Sequence, residues 1–391
     1  MSKAFYYLWG TISFSKLASA FYLMMMTLLI YNTTLSATLS SLIMLVYIAG
    51  KLSASFYLPI LNQKKSIHAL LLRGLLLQIF MILGCIVLSF YLEHFPLLYI
   101  FLYGAGFSDG IIAPTRNALI PVAVEKHQLE KANSFISTTD QTLSLIGWAF
   151  GAVLYNVLGD TLVFTLILAL LFMALLLSTN ISVKLTTLPI TKNKQALKKG
   201  WQLLFDKKYR LHLITTMGIL EGIAASIWIG GITLIFVQTE LHQTTDWWGF
   251  INAGYFAGSI LGGILIALNT HRLSTRLLPS LLLGSFIVSL LVLLYALNTN
   301  PYLALLLVVV MGPFYQLRDI SQQTYIQKTI SHTDLLSLYA AKDNLYYATF
   351  ALSVFLSGFI SDTIGVVYVY YGAVLLYLVS SIIGLRMLRT N

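Results

Sequence analysis

Apolar runs long enough to cross a bilayer follow one another along this chain almost without interruption. A helix needs about 20 apolar residues to traverse the hydrocarbon. Breaks at proline, Asn-Thr pairs and charge runs divide the sequence into twelve such stretches, at 5–31, 37–59, 67–91, 96–118, 134–158, 161–182, 209–239, 247–269, 276–297, 301–327, 338–361 and 364–386. Hydrocarbon offers backbone amides no partner, so each stretch reads as an α-helix that satisfies itself. Spans seven and ten are long, which predicts tilt or extension beyond the hydrocarbon. Hydrophobic residues make up 58% and charged residues 10% of the 391, against about 25% charged in a soluble domain. A soluble chain of this size has too little interior to bury that apolar surface. The stretch after Lys3 is long enough to span and reads as a retained anchor.

The net charge of +10 acquires a meaning once the charges are placed on this division. With the N-terminus inside, the inward turns carry Lys64, Lys65, Lys126, Lys131, Arg272 and Lys328. The longest turn carries Lys184, Lys192, Lys194, Lys198, Lys199, Lys207, Lys208 and Arg210, and Arg386 and Arg389 lie near the C-terminus. The opposite turns hold no Lys or Arg, only Glu93, Asp160, Glu240, Asp246 and Asp362. This is the positive-inside pattern, and it predicts a cell-membrane protein with both termini cytoplasmic. The basic charge is a topology signal, so no nucleic-acid partner is expected. The single Cys85 stands in an apolar run and reads as a small buried hydrophobe. The histidines at 68, 94, 127, 212, 242, 271 and 332 show no pair at helical spacing, so neither a metal nor a cofactor is expected.

The long polar segment 183–208 divides the chain into an N-terminal six-helix half, 1–182, and a C-terminal six-helix half, 209–391. Within KKGWQLLFDKKYRL (198–211), Trp201, Leu204 and Phe205 share one face with lysines around it, as in an interfacial amphipathic helix. The halves align with each other at an offset of 206 residues: Gly106 falls on Gly312, Ile120 on Ile326 and Leu129 on Leu335. Two six-helix halves repeated in parallel suit a transporter that rocks about a central site. The expected fold class is an all-α membrane protein with twelve transmembrane helices in two pseudo-symmetric halves.

Particular residues add a resemblance. ALIP at 118–121, LEKAN at 129–133, the glycines Gly147 and Gly151, and KKGWQLLF after the central segment make the chain resemble the major facilitator superfamily, in particular its bacterial drug and macrolide efflux branch. The resemblance implies export of a small molecule. It departs from the family pattern in two places. FYLPILNQKKS (56–66) keeps the basic end of the loop after helix two but lacks its Asp and Gly, and IGWAFGAVL lacks the proline of the antiporter signature.

Ionisable side chains inside a span are costly unless paired or hydrated, so each is a candidate for function. Trp9, Ser13, Lys16 and Ala20 lie on one face of the first span, a polar stripe suited to a cavity wall. Lys16 is placed to meet an anionic substrate group or a carboxylate. Glu221 is near the middle of the seventh span, its repeat counterpart, so a Lys16–Glu221 contact is one expectation, functional or purely structural. Glu221, Asp109 and Asp140 are candidate protonation sites. Arg116, Arg318, Asp319, Lys342 and Asp343 are candidates for a gate of charge pairs at the inner ends of the helices. Trp228, Tyr255, Tyr315 and Tyr346 are candidates to line the cavity, and Tyr22 belongs to the same undivided set of aromatics. Gly254, Gly258 and Gly262 on the eighth span, and Gly218, Gly222 and Ser226 on the seventh, predict close helix packing.

The function classes then narrow. There is no phosphate-cradling Gly-Lys-Ser/Thr loop and no zinc-protease or nucleophile-elbow motif, and GAGFSDG at 104–110 has the wrong spacing for a dinucleotide. An enzyme is not expected. The expectation is a monomeric secondary transporter among membrane lipids, coupled to protons and taking a small-molecule substrate. A dedicated exporter of a carboxylate-bearing metabolite, such as a metallophore, and a lipid flippase remain as alternatives.

Overall fold

The computed structural model describes residues 1–34, 37–61, 66–89, 95–181, 193–228 and 230–389. The side chains of a few further residues inside its helices fall outside that description. Of the charges used to orient the chain, Lys64, Lys65, Glu93, Lys184 and Lys192 lie outside the described residues.

Among the described residues every element is helical: α1 Lys3–Thr34, α2 Ala37–Leu61, α3 Ile67–Ser89, α4 Phe95–Ala123, α5 Leu129–Thr179, α6 Asn193–Leu204, α7 Leu211–Ala224, α8 Gly230–Thr239, α9 Thr245–Leu268, α10 Thr270–Ser274, α11 Leu277–Ala296, α12 Pro301–Thr329, α13 His332–Ile364 and α14 Val366–Arg389. Among the described residues, ten helices are long and apolar enough to cross a membrane, and α2 contains a shorter apolar helix at Leu42–Leu58. The expected span at 134–158 runs over residues whose side chains are not described, so the full count of twelve is not reached.

Three local breaks set the element boundaries. Gly159, at φ 71 and ψ 173, interrupts the helical backbone of α5 between the expected fifth and sixth stretches. Glycine tolerates this backbone because it has no Cβ. Gly365, at φ 109, separates α13 from α14, and its amide bonds the carbonyl of Ile360. The seventh span corrects the sequence reading. It is long because it is broken: α7 gives way to a 3-10 turn at Ala225–Trp228 before α8 begins. The tenth span is long as expected. The 29 residues of α12 extend roughly 44 Å at 1.5 Å each, more than the ~30 Å of hydrocarbon.

The chain forms two compact units. Unit 1 comprises Met1–Lys126, Thr142–Trp201 and Ile330–Asn344; unit 2 comprises His127–Gln141, Gln202–Thr329 and Leu345–Asn391. Unit 1 is centred on Tyr22, Met25, Met26, Tyr47, Ile82 and Leu102. Tyr22 is thereby assigned to the core, where its hydroxyl lies 2.9 Å from the sulfur of buried Cys85. Unit 2 is centred on Phe236, Val292, Tyr295, Tyr370 and Tyr377.

Gly106 and Gly312, which the 206-residue offset aligns, both stand at close helix contacts. In unit 1, a Cβ on Gly106 would stand 2.1 Å from the carbonyl oxygen of Tyr47, so α4 lies directly against the backbone of α2. In unit 2, a Cβ on Gly312 would stand 2.3 Å from the backbone of Gly258, so α12 lies equally close to α9. The glycines of α9 pack as expected. Those of the seventh span do not: a Cβ on Gly218 would meet nothing within 4 Å, and one on Gly222 only the Thr349 hydroxyl at 3.6 Å. There Gly218 borders open space, whereas Ser226 is buried and lies 2.6 Å from the hydroxyl of Ser357.

The amphipathic helix begins earlier than expected and ends at Leu204. It docks on protein as well. A Cβ on Gly200 would stand 2.2 Å from the Ser337 carbonyl, and Lys199 pairs with Asp334. Phe205 remains half exposed beside Lys207 and Lys208.

Candidate functional site

In unit 2, six residues singled out from the sequence come together around one buried ion pair. Glu221, near the end of α7, is 4% exposed. One carboxylate oxygen pairs with Nε of Arg318 on α12, and the other accepts from the hydroxyl of Ser380 on α14. These two groups satisfy both oxygens of the carboxylate. Such a pair needs its remaining donors satisfied to offset desolvation. Arg318 also donates from Nη1 to Asp319 Oδ1 at 2.6 Å, and the Asp319 side chain is 57% exposed. A carboxylate so open within the apolar length of α12 faces water or a polar ligand.

An aromatic wall adjoins this pair. Tyr315, one turn before Arg318, accepts from Trp228 Nε1 at 3.0 Å and lies 2.8 Å from the hydroxyl of Tyr377. Tyr255 sits edge-on to Tyr315 at 5.8 Å. Behind them, Trp228 packs on Tyr295 at 5.2 Å and on Tyr370 at 6.3 Å. The break in the seventh span frees a buried carbonyl at Ile227, and two hydroxyls satisfy it: Thr233 at 2.7 Å and Tyr370 at 3.2 Å. Tyr346 is 53% exposed, stacked on Phe350 and within electrostatic range of Tyr255. Sequence reasoning missed Tyr377 and Ser380. Their spacing of three puts them on one face of α14, where Tyr377 meets Tyr315 and Ser380 meets Glu221.

Unit 1 holds a second cluster. Lys51 Nζ lies 2.5 Å from Asp109 Oδ2, and the Tyr47 hydroxyl donates to the same oxygen at 3.1 Å. Tyr47 and Lys51 are one turn apart on α2, and the ammonium also stands 5.1 Å from the Tyr47 ring centre. The glycine contacts between α2 and α4 bring them within reach. Lys51 was also missed, although a lysine in the middle of a span requires a buried anion. Lys16 and Arg116 lie within electrostatic range of Asp109, and Asp343 within range of Lys342, Lys51, Arg116 and Asp109.

Trp9, Ser13, Lys16 and Ala20, the stripe on α1, are all half-buried. Ser13 donates to the Trp9 carbonyl of its own helix at 2.9 Å, and Ala20 packs on Gly147, whose Cβ would lie 2.6 Å from it. Another face of α1 carries buried Ser15 and Ser19, bridged by Gln78 of α3, a residue missed in the sequence.

A third arrangement in unit 2 was not anticipated as a site. At the start of α5, Glu130, wholly buried, accepts from Lys328 at 2.5 Å. Asn133 donates to Thr324 at 2.9 Å and to Gln327 at 2.7 Å, and Ser137 donates to Gln316 at 2.5 Å. Positions 130, 133 and 137 form one face of a helix, so α5 is zipped along α12. Half-buried Asp140 continues the helix one turn further. The Asn133→Ala variant is expected to lose about 1–3 kcal/mol, because two buried partners lose their donor. Thermal unfolding in detergent reads this; a variant that melts with the wild type would refute it.

Among the described residues, no three His, Cys, Asp or Glu side chains come together as a metal site requires.

Comparison with known proteins places these features in a family. The family model described as Major Facilitator Superfamily matches residues 8–341. The uncharacterised MFS-type transporter YfmI of Bacillus subtilis strain 168 is 31% identical over 400 residues, covering 100% of this chain and 97% of the relative. A second from the same organism, YjbB, is 29% identical over 384 residues, covering 96% and 93%. Among solved structures, a bacterial homologue of the iron transporter ferroportin in an outward-facing state superposes with a TM-score of 0.81 at 13% identity, covering 98% of each chain. The Escherichia coli fucose:proton symporter FucP superposes at 0.77 and 15% identity, covering 97% of each. The helical fold, the matched family model and the full-length relatives agree, and this chain belongs to the Major Facilitator Superfamily as a multi-pass membrane transporter.

Proposed function

We propose that the protein is a secondary active exporter that exchanges protons for an organic cation by alternating access, in the manner of drug-type efflux. The observation that carries this reading is the buried Glu221–Arg318 pair beside the open Asp319 carboxylate and the Trp228, Tyr255 and Tyr315 wall. With both carboxylates ionised, the group carries one net negative charge next to aromatic faces, which attract cations. A proton taken up on Glu221 leaves Arg318 to neutralise Asp319, and that attraction is lost. Proton and cation therefore exclude each other, as exchange requires, and differential affinity of this kind is what moves a conformational equilibrium. Orientation follows the positive-inside pattern, with both termini and the lysine-bearing turns in the cytoplasm. The α5–α12 zipper acts as a lock: a cycle that moves the two halves of the chain must break it.

A second reading, export of a carboxylate-bearing metabolite, draws support from unit 1. There Lys16, Lys51, Arg116 and Lys342 outnumber Asp109 and Asp343.

Transport of ethidium into everted vesicles under an imposed proton gradient distinguishes the readings. Glu221→Gln, which holds the neutral state, is expected to abolish gradient-driven uptake and to weaken ethidium binding, both without dependence on pH. Asp319→Asn is expected to weaken ethidium binding. If Glu221→Gln and Asp109→Asn both keep the wild-type rate and pH dependence, proton coupling through these clusters is wrong.

A further inference from the structure

Unit 2 carries a groove of about 490 Å³ on its α9–α10–α11–α12 side, away from the Glu221 cluster. Its walls are mostly aliphatic: Leu265, Ile266 and Leu273 on one side, Leu283, Phe314 and Leu317 on the other. Leu265 and Leu283 are 54% and 51% exposed, so they form rims open to what surrounds the helices. The floor exists because Gly262 lies against Pro313, where a Cβ would be 2.4 Å from the proline Cα. One end is polar. Asn269, Ser280 and exposed Arg276 gather there, at the turn between α10 and α11. From Arg276 to Leu283 the helix descends roughly 10 Å. Among the described residues no carboxylate pairs with Arg276.

We infer that this groove binds one anionic phospholipid, its phosphate on Arg276 and the upper part of an acyl chain between Leu265 and Leu283. Three features select this occupant. The groove is amphipathic along its length, as a lipid is. Arg276 at its mouth is positive and has no carboxylate partner among the described residues, so a phosphate completes it. The apolar walls are of no use to a free phosphate ion but take an acyl chain. By the orientation proposed above the lipid belongs to the inner leaflet; its chemistry does not depend on that orientation. Because α9 and α12 also carry Tyr255 and the Tyr315–Arg318 pair, the lipid grips the two helices that build the transport cluster.

Native mass spectrometry of the full chain in detergent, titrated with phosphatidylglycerol or phosphatidylcholine, tests this. The wild type is expected to hold one phosphatidylglycerol that phosphatidylcholine does not displace. Arg276→Gln should weaken that binding about fivefold, the worth of one basic side chain beside an anionic headgroup, and Arg276→Lys should restore most of it. Leu283→Trp, which fills the groove, should remove the site. Lys207→Gln, an equal loss of charge outside the groove, should change nothing. Arg276 is exposed, so its variants report even where Leu283→Trp fails to fold. Equal phosphatidylglycerol binding by the wild type and Arg276→Gln, or equal binding of the two lipids by the wild type, would overturn the proposal.

Discussion

Replacing Arg318 by alanine is expected to destabilise the protein by about 3–5 kcal/mol, the cost of leaving a buried charge without its partner. Glu221 is 4% exposed, and after the change it keeps only the Ser380 hydroxyl. Reversible unfolding in mixed micelles measures the loss. The pair is not expected to be irreplaceable for folding. Removing both charges together, as Glu221→Leu with Arg318→Met, should recover most of the stability, because apolar residues of similar volume replace a buried pair at little cost. The double variant should nevertheless be inactive in gradient-driven transport. That combination separates what the pair does for the fold from what it does for the cycle. An Arg318→Ala protein as stable as the wild type would mean that Glu221 is folded as a neutral acid and that the ion pair is not the resting state.

The second large effect concerns glycine. Gly258→Val and Gly106→Val are each expected to cost at least about 1–3 kcal/mol, the range for overpacking, since the added atoms meet backbone and not a movable side chain. A Cβ at 258 would stand 2.0 Å from the Val309 carbonyl oxygen, and one at 106 stands 2.1 Å from that of Tyr47. The position of Gly258 has a further reason. Pro313 has no amide to give to the Val309 carbonyl, and the carbonyl lies against the space that Gly258 leaves. Gly106→Val should also separate α2 from α4 and so lengthen the Lys51–Asp109 contact, which would appear as lost transport beyond the loss of stability. Gly218→Ala is the contrast. With nothing within 4 Å of its Cβ, it should be neutral, or stabilising by roughly 0.5–1 kcal/mol through helix propensity. If Gly258→Val and Gly218→Ala behaved alike, contact geometry would not be what places glycine in these helices.

Some of the candidate site was legible before the fold. Glu221, Trp228, Tyr255, Tyr315, Arg318 and Asp319 were each marked because polar or aromatic groups inside a span call for an explanation, and they do meet. Their pairing was not legible. Repeat symmetry marks equivalent positions such as Lys16 and Glu221, and it carries no information that Arg318 and Ser380 are the side chains that reach the carboxylate. Lys51, Ser380 and Gln78 were passed over for a related reason. Each is a polar residue in a mostly apolar helix, and its importance lies in a partner more than 50 residues away. The zipper of Glu130, Asn133 and Ser137 lay in a stretch valued for its resemblance to a family; its regular spacing was visible, but its partner helix was not.

The sequence by itself determined that this chain lives in a bilayer, that its spans are helical, and which of its turns carry the positive charge. Those properties follow from hydrophobic run length, from the need of every backbone amide for a partner in hydrocarbon, and from the bias of lysine and arginine between alternate turns. All of them are sums along the chain. Only the tertiary structure decided that the seventh span breaks at Ala225–Trp228, that α2 meets α4 and α9 meets α12 through glycine, and that Glu221 belongs to Arg318 and Ser380. The physical reason is that a bilayer does not drive apolar helices together in any particular pairing. Which faces meet is settled by close packing and by the few polar groups that must find one another across it.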